Sequence, residues 1–416
     1  MIEDIMQLVK YKSINKRQDE NRACLQFFLN KAGLMGFKTM STSAFDTGIV
    51  EYGEGEETLG ILVHLDVVEI GDPGKWTVDP FKGEIRDGYL WGRGTVDDKG
   101  AAVMSLYAMK AVKDLKLPMN RKIWLIAGTS EESEWTDIEN FKREFPVPDF
   151  GFSPDGEFPV YYAEKGYADV KLLFPRDAVK EIVSLSGGDS YNTIPSKAEI
   201  SFENGEIIAA DGISGHSSAP ELADNAIIKL CKIIADKKQL DFADFINDYF
   251  SDSSNGRRLM IDDGSDAYKG EYTGFTTAAP TFISIGEEGV QAIINIRHKF
   301  GTTNEEITDA FVKLQDKYGY KCSVSNYLKP MMISKELPFL KIMNDVYEEY
   351  GFKGEFKAAA GTSYAKSMDN FVSWGPVFPN DPLCAHMEDE RLSISSMLAA
   401  AKIYGLFIAR IGGNIG

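Results

Sequence analysis

The stretch Gly60-Ile-Leu-Val-His64-Leu-Asp66 is a short aliphatic run that ends in two ionisable residues. Lys122-Ile-Trp-Leu-Ile-Ala127 repeats the pattern and runs into Gly128-Thr-Ser-Glu-Glu132. Between them, residues 99–116 carry Ala101, Ala102, Met104, Leu106, Tyr107, Met109 and Ala111, a spacing that predicts a helix. Strand, helix and strand in this order predict an α/β fold: a mixed, mainly parallel sheet flanked by helices. Such sheets place their ligands beyond the carboxyl ends of the strands. His64, Asp66, Glu131 and Glu132 all fall there.

Working outward, residues 2–10 and 19–35 also show helical spacing, with Cys24, Phe27, Phe28, Ala32 and Leu34 on one stripe. After Gly166 the character changes. Strand-like segments (168–174, 197–202, 290–296) mix with helix-like runs near 221–236 and 303–316, and a Gly- and Asp-rich stretch spans 252–274. Helical spacing returns at 337–350, and the chain closes with a helix near 392–411. The expected organisation is one domain built from 1–166 and 328–416, with an α+β domain, 167–327, inserted into it.

Composition narrows the function classes. The chain has 416 residues, 44% hydrophobic and 26% charged, which excludes wholesale disorder. A net charge of −18 argues against a protein that coats nucleic acid, because it repels phosphate. The four cysteines, Cys24, Cys231, Cys322 and Cys384, form no CxxC pair, so neither a zinc ribbon nor a disulfide framework is expected. No basic segment followed by an apolar run opens the sequence, and no stretch approaches ~18 consecutive apolar residues. The expectation is a cytoplasmic protein with no membrane partner.

Each ionisable cluster has a bland reading as well as a functional one. His64 and Asp66 share one side of an extended strand, so the Asp can steady the imidazole; a solvated strand end is the alternative. In Gly92-Arg-Gly-Thr-Val-Asp97-Asp-Lys-Gly100 the glycines allow a tight turn that brings one Asp inward, whereas an Asp N-cap on a surface helix would also fit. Glu131 and Glu132 cannot both be deeply buried without a cation. The functional reading gives one of them to a metal and the other to proton transfer. Phe152-Ser-Pro-Asp155-Gly-Glu157 offers another carboxylate at a strand end, or a plain turn. Cys384-Ala-His386-Met-Glu-Asp-Glu390 puts a histidine just before the last helix. Together His64, Asp97, Glu132, Asp155 and His386 make a mixed nitrogen and oxygen donor set suited to zinc, manganese or cobalt. Of the 4 histidines, a third, His216, lies in Ser214-Gly-His-Ser-Ser-Ala-Pro220.

The ordered set HLDVV, GRGTVDDKG, GTSEES, SPDGE and AHMEDE resembles the dinuclear zinc peptidase family that includes acetylornithine deacetylase, succinyl-diaminopimelate desuccinylase, aminoacylase and carnosinase. The resemblance implies a zinc-exopeptidase-like catalytic domain with an inserted lid. It implies that His64, Asp97 and Asp155 hold one divalent ion and that Asp97, Glu132 and His386 hold the other, with Asp97 bridging. It makes Glu131 the general base, acting on a water between the two ions, and Asp66 the residue that orients His64. Zinc is the expected metal, with manganese or cobalt as alternatives.

The inserted domain sharpens the resemblance. Gly187-Gly-Asp-Ser-Tyr-Asn192-Thr-Ile-Pro195 precedes His216, an order similar to the PepV-type bacterial dipeptidases, whose lid acts within its own chain. Asn295-Ile-Arg297 and Ala360-Gly361-Thr362-Ser-Tyr-Ala365 fit the same group. His298 departs from it, standing where an aromatic residue is more usual. The resemblance implies that His216 stabilises the tetrahedral intermediate, that Asn192 helps to position it, that Arg297 grips a substrate carboxylate and that Gly361 and Thr362 line the cleft. The expected activity is hydrolysis of dipeptides or short peptides by a monomer. The nearest rival is an N-acyl amino acid deacylase using the same metals. A non-catalytic relative would have lost the base or a ligand, and a structural zinc protein would carry Cys ligands.

Overall fold

The computed structural model describes residues 1–252 and 254–413, so Ser253, within the Gly- and Asp-rich stretch, lies outside the described residues. The chain forms two units. The first comprises Met1–Tyr162, Ile333–Lys357 and Ser363–Gly416, and the second comprises Ala163–Met332 and Ala358–Thr362.

The first unit is built on a mixed sheet. Its strands run in the order Lys38–Ser41, Gly48–Tyr52, Lys122–Gly128, Thr58–His64, Phe150–Ser153, Phe371–Trp374 and Val160–Glu164. The middle four, from Lys122–Gly128 to Phe371–Trp374, are mutually parallel, and the flanking pairs are antiparallel. The two runs that opened the sequence reading are neighbours, with His64 opposite Gly128. Leu59, Ile61, Leu62 and Val63 are all fully buried. A strand covered on both faces reads as a continuous apolar run, which is why this one does not alternate.

Helices cover the sheet. Lys99–Asp114 packs against the last helix, Ile394–Gly413. By length and composition Ile394–Gly413 is long and apolar enough to cross a membrane. Here Met397, Ala400, Tyr404, Phe407 and Ile411 recur at three- and four-residue intervals and are buried in the core, as a core helix requires. Burying each large side chain of this stripe contributes roughly 1.5–3 kcal/mol. Trp374, Phe152 and Phe158 meet Tyr404 at ring-centroid distances of 5.5, 5.4 and 6.1 Å.

The second unit is an antiparallel sheet in the order Ile207–Asp211, Lys197–Phe202, Ile182–Gly187, Thr277–Gly286, Gly289–His298, Gly166–Pro175 and Lys321–Leu328. Ala168, Val170, Leu172 and Phe174 alternate inward along one strand. They face the helices Ala226–Ala235, Asp241–Phe250 and Asn304–Val312, and Phe174 lies 6.2 Å from Phe242 and 5.4 Å from Tyr320 by ring centroid. The helix expected near 221–236 begins only at Ala226. The Asn225 side chain caps it by accepting the Ile227 and Ile228 N–H groups, and Pro220–Leu222 forms a separate short turn.

Candidate active site

Three of the parallel strands deliver their ionisable residues to one place in the first unit. Thr58–His64 ends on His64, Lys122–Gly128 runs into Glu131 and Glu132, and Phe150–Ser153 runs into Asp155. Asp97 arrives on the loop before the helix Lys99–Asp114, and His386 on the loop before the strand Arg391–Ser393. The Asp97–Asp98 peptide is cis. His386 holds a left-handed backbone, φ 62°, a conformation uncommon outside glycine but one that histidine, like Asn and Asp, enters more readily than most residues.

The distances describe a tight cluster. His64 Nε2 is 2.8 Å from Asp97 Oδ1 and 3.9 Å from Asp155 Oδ2. His386 Nε2 is 2.9 Å from Asp97 Oδ2 and 3.0 Å from Glu132 Oε1. Asp97 therefore stands between the two imidazoles, one oxygen toward each. Donor atoms of His64, Glu131 and Asp155 lie within 4.8 Å of one another, as do those of His64, Asp97 and Glu132.

The electrostatics of this cluster are those of a cation site. Burial pushes Glu131 well above the usual carboxylate range, and the charge of Asp155 adds to it. Burial and the neighbouring Asp97 push Asp155 up to about 7. Burial works against ionisation of Asp97 too, but contacts from His386 and His64 outweigh it and hold its carboxyl low. Glu132 beside His386 raises that imidazole well above its ordinary value. Burial alone would lower His64, yet Asp66 and Asp97 raise it. The carboxylates crowd one another with like charge, and Glu131 and Asp155 feel it most. His64 Nε2 and Asp97 Oδ1 are buried and, despite their close approach, neither makes a hydrogen bond. A divalent ion would meet these orphaned atoms, and the donor set of imidazole nitrogens and carboxylate oxygens fits zinc, manganese or cobalt.

The residues around the cluster carry much of its order. His64 Nδ1 sits 3.0 Å from the backbone carbonyl of Asp66 and 3.5 Å from its carboxylate. That carboxylate instead accepts the backbone N–H groups of Glu131 at 3.2 Å and Glu132 at 3.0 Å. Asp137 accepts the N–H groups of Thr129 and Ser130 at 2.6 and 3.0 Å and the Tyr364 hydroxyl at 2.6 Å. The Tyr364 ring in turn meets His64 edge-on at 6.2 Å. The buried pair Arg93 and Glu390 ties the Asp97 loop to the His386 loop, with 2.6 Å between charged atoms. The sequence reading assigned none of Asp137, Tyr364, Arg93 or Glu390. Three of them lie inside motifs it quoted; Asp137 sits in an ordinary polar run that carries no signal.

The second unit gathers another group of expected residues. His216 pairs with Thr193 in a short antiparallel ladder, and the carbonyl of Asn192 accepts the Ser217 N–H at 2.9 Å. The Asn192 side-chain oxygen accepts the Ser190 and Thr193 hydroxyls at 2.5 and 3.2 Å. Ser218 Oγ lies 2.6 Å from His216 Nδ1. Arg297 is 4% exposed and donates to Ser217 Oγ at 3.3 Å. Its guanidinium lies 4.6 Å from the ring centroid of Tyr167, and its Nε is buried without a hydrogen bond. Among the described residues no carboxylate stands within ion-pair distance of it. Gly361 and Thr362 follow the strand Phe356–Ala359, and a Cβ at Gly361 would meet nothing within 4 Å.

Similarity to known proteins agrees with this architecture. A protein of Bacillus subtilis named "Putative dipeptidase YtjP" is 32% identical over 407 residues, covering 89% of this chain and 86% of its own. A Staphylococcus epidermidis protein, "Putative dipeptidase", is 28% identical, covering 97% of this chain and 95% of its own. Two solved structures share the fold. The M20 family metallo-carboxypeptidase Sso-CP2 of Sulfolobus solfataricus has a TM-score of 0.66 at 18% identity, covering 97% of each chain. Human carnosine dipeptidase 1 has a TM-score of 0.65 at 14% identity, covering 99% of this chain and 95% of its own. Residues 60–410, which span every strand end just described in the first unit, match the description "Peptidase family M20/M25/M40". The chain belongs to that peptidase family, and it is a hydrolytic enzyme.

Proposed function

We propose that this protein is a metal-dependent dipeptidase. Members of its family are metal-dependent and typically dinuclear, and the Bacillus and Staphylococcus relatives similar to it in sequence bear dipeptidase names. The observation that carries the reading is the pair of imidazoles flanking Asp97, at 2.8 and 2.9 Å, with Glu131, Glu132 and Asp155 beside them. His64, Asp97 and Asp155 would hold one ion; Asp97, Glu132 and His386 would hold the other. Two bound ions would polarise a peptide carbonyl and acidify a water. Zinc is the first candidate.

In this reading Glu131 takes the proton from the attacking water and passes it to the leaving amine. Its carboxylate groups with the donor atoms of His64 and Asp155, beside the place the attacking water would take. Asp66 orients His64 through its backbone carbonyl and, with its carboxylate, accepts the backbone N–H groups of both glutamates. His216 meets the negative charge that develops on the carbonyl oxygen, with Asn192 as its support, and Arg297 grips the substrate's free carboxylate with its planar fork. Gly361 and Thr362 line the cleft. The segment 167–327 serves as the lid, and the lid works in its own chain, so the enzyme is a monomer. Its free cysteines support a reducing, cytoplasmic setting.

The second reading is an N-acyl amino acid deacylase, which needs the same ions and the same carboxylate grip. Amino-acid release from free dipeptides and from N-acetyl amino acids, with and without zinc, manganese or cobalt, separates the two. The dipeptidase reading expects metal-dependent cleavage of free dipeptides, lost in Glu131→Ala. Turnover of the acylated compounds alone would move the assignment to deacylase. Mixing Glu131→Ala with His216→Ala protein tests the lid: recovered activity would mean that the histidine acts across chains.

A further inference from the structure

We propose that Arg93 and Glu390 are positioning residues, a buried clamp that presents Asp97 and His386 to the metals. The proposal rests on the dinuclear reading above. Glu390 is fully buried and Arg93 is 1% exposed. One glutamate side chain organises nearly the whole Asp97 loop. It accepts Arg93 Nη1 at 2.6 Å, the Gly94 N–H at 3.0 Å, the Val96 N–H at 2.8 Å and the Asp97 N–H at 3.3 Å. Its backbone carbonyl accepts the Gly92 N–H at 2.9 Å, and the next residue, Arg391, pairs with Trp91. Arg93 also donates to the Glu69 carbonyl at 3.1 Å and lies 5.4 Å from the ring centroid of Trp76.

Stability does not account for this arrangement. A buried ion pair costs much desolvation, and well-packed apolar residues of similar volume often replace one without loss. Position accounts for it better. Glu390 stands a few residues after His386, and Arg93 a few residues before Asp97. The clamp therefore fastens together the two loops whose side chains meet at 2.9 Å. It also fixes the Asp97 backbone from its own N–H, so the carboxylate reaches both imidazoles without having to be ordered on metal binding. Residues that orient ligands in this way typically carry 10–100-fold in metal affinity.

The test uses the full-length protein. Zinc affinity is measured by competition with a chromophoric chelator, alongside the melting temperature of the metal-free form and kcat and KM on a dipeptide. Glu390→Gln keeps the volume and one accepting oxygen but loses the charge. It should bind zinc about 10–100-fold more weakly. Arg93→Lys, which keeps the cation, should retain more affinity than Arg93→Gln. Tyr404→Phe, which loses a buried hydrogen bond to the Trp374 carbonyl far along the last helix, should lower the melting temperature and leave zinc affinity unchanged. Wild-type zinc affinity in folded Glu390→Gln would overturn the clamp. Should Glu390→Gln fail to fold, equal zinc affinity in wild type, Arg93→Lys and Arg93→Gln would overturn it equally. If the wild-type protein takes up no zinc, manganese or cobalt, the dinuclear reading falls and takes the clamp with it.

Discussion

Asp66 Oδ2 accepts the backbone N–H of Glu132 at 3.0 Å, and its other oxygen accepts that of Glu131 at 3.2 Å. The carboxylate thus braces the turn that carries both glutamates, while His64 rests on the Asp66 backbone carbonyl. An amide in its place keeps one accepting oxygen and turns an NH₂ group toward the second N–H. Asp66→Asn should therefore lower kcat/KM by about 10–100-fold, together with metal content, because such partners of metal-site residues carry that much. Steady-state kinetics and metal analysis on the same preparation check this. Unchanged values would mean that only the backbone of Asp66 matters.

Glu131 and Glu132 are adjacent in sequence but differ in their neighbours. Glu132 Oε1 touches His386 at 3.0 Å, whereas Glu131 groups with His64 and Asp155. The roles proposed for them separate accordingly. Glu131→Gln should lose about 10²–10⁴-fold in kcat, the usual cost of a missing proton-transfer group, and keep its metal. Glu132→Gln should lose metal first and activity as a consequence, with added zinc restoring part of it. Equal metal loss in both variants would show that the two carboxylates are ligands alike.

Tyr364 and Asp137 offer a test of stability against pH. Burial raises the Asp137 carboxyl, and the hydroxyl of Tyr364 is among the donors that partly offset it. A carboxyl raised in the folded chain contributes stability that is present at low pH and lost as pH climbs from its unfolded value through its folded one. Tyr364→Phe removes a donor to the ionised form and steepens that loss. Its deficit against wild type should be small near pH 4 and grow to about 1.5–3 kcal/mol at neutral pH, the scale of a hydrogen bond to a charged group. Urea unfolding of both proteins with a chelator present measures it. A deficit that does not vary with pH would assign Tyr364 to packing alone.

What the sequence disclosed follows from how locally each feature is encoded. The parallel centre was legible because Gly60–His64 and Lys122–Ala127 are buried on both faces and therefore read as unbroken apolar runs. The strand Phe371–Trp374 is short and lacks such a signature. The helix Thr136–Glu144 is mostly polar, buries only Asp137, Ile138 and Phe141, and went unread. Within the site, His64, Asp97, Glu131, Glu132, Asp155 and His386 were named because each is an ionisable residue at the end of a recognisable motif. Of their partners, only Asp66 was named. The hold of Glu390 on residues 94–97, or of Asp137 on Tyr364, joins segments far apart in sequence, and only the fold brings them together.

Arg297 presents the sharpest question of specificity. Its guanidinium is buried, flanked by Tyr167 and Ser217, and has no carboxylate partner among the described residues. Burial disfavours its charge, so the site is costly unless an anion completes it. A substrate carboxylate would do so through two parallel N–H bonds, a geometry that lysine cannot reproduce. Arg297→Lys should raise KM for free dipeptides with a smaller change in kcat, and the loss should fall in the range of about 2–5 kcal/mol seen when a buried charge pair is broken. C-terminally amidated dipeptides supply the control. They should be poor substrates of the wild-type enzyme and hardly affected by the substitution, because they bring no carboxylate for the guanidinium to hold. Equal losses on free and amidated substrates would place Arg297 in the architecture of its own sheet rather than in recognition.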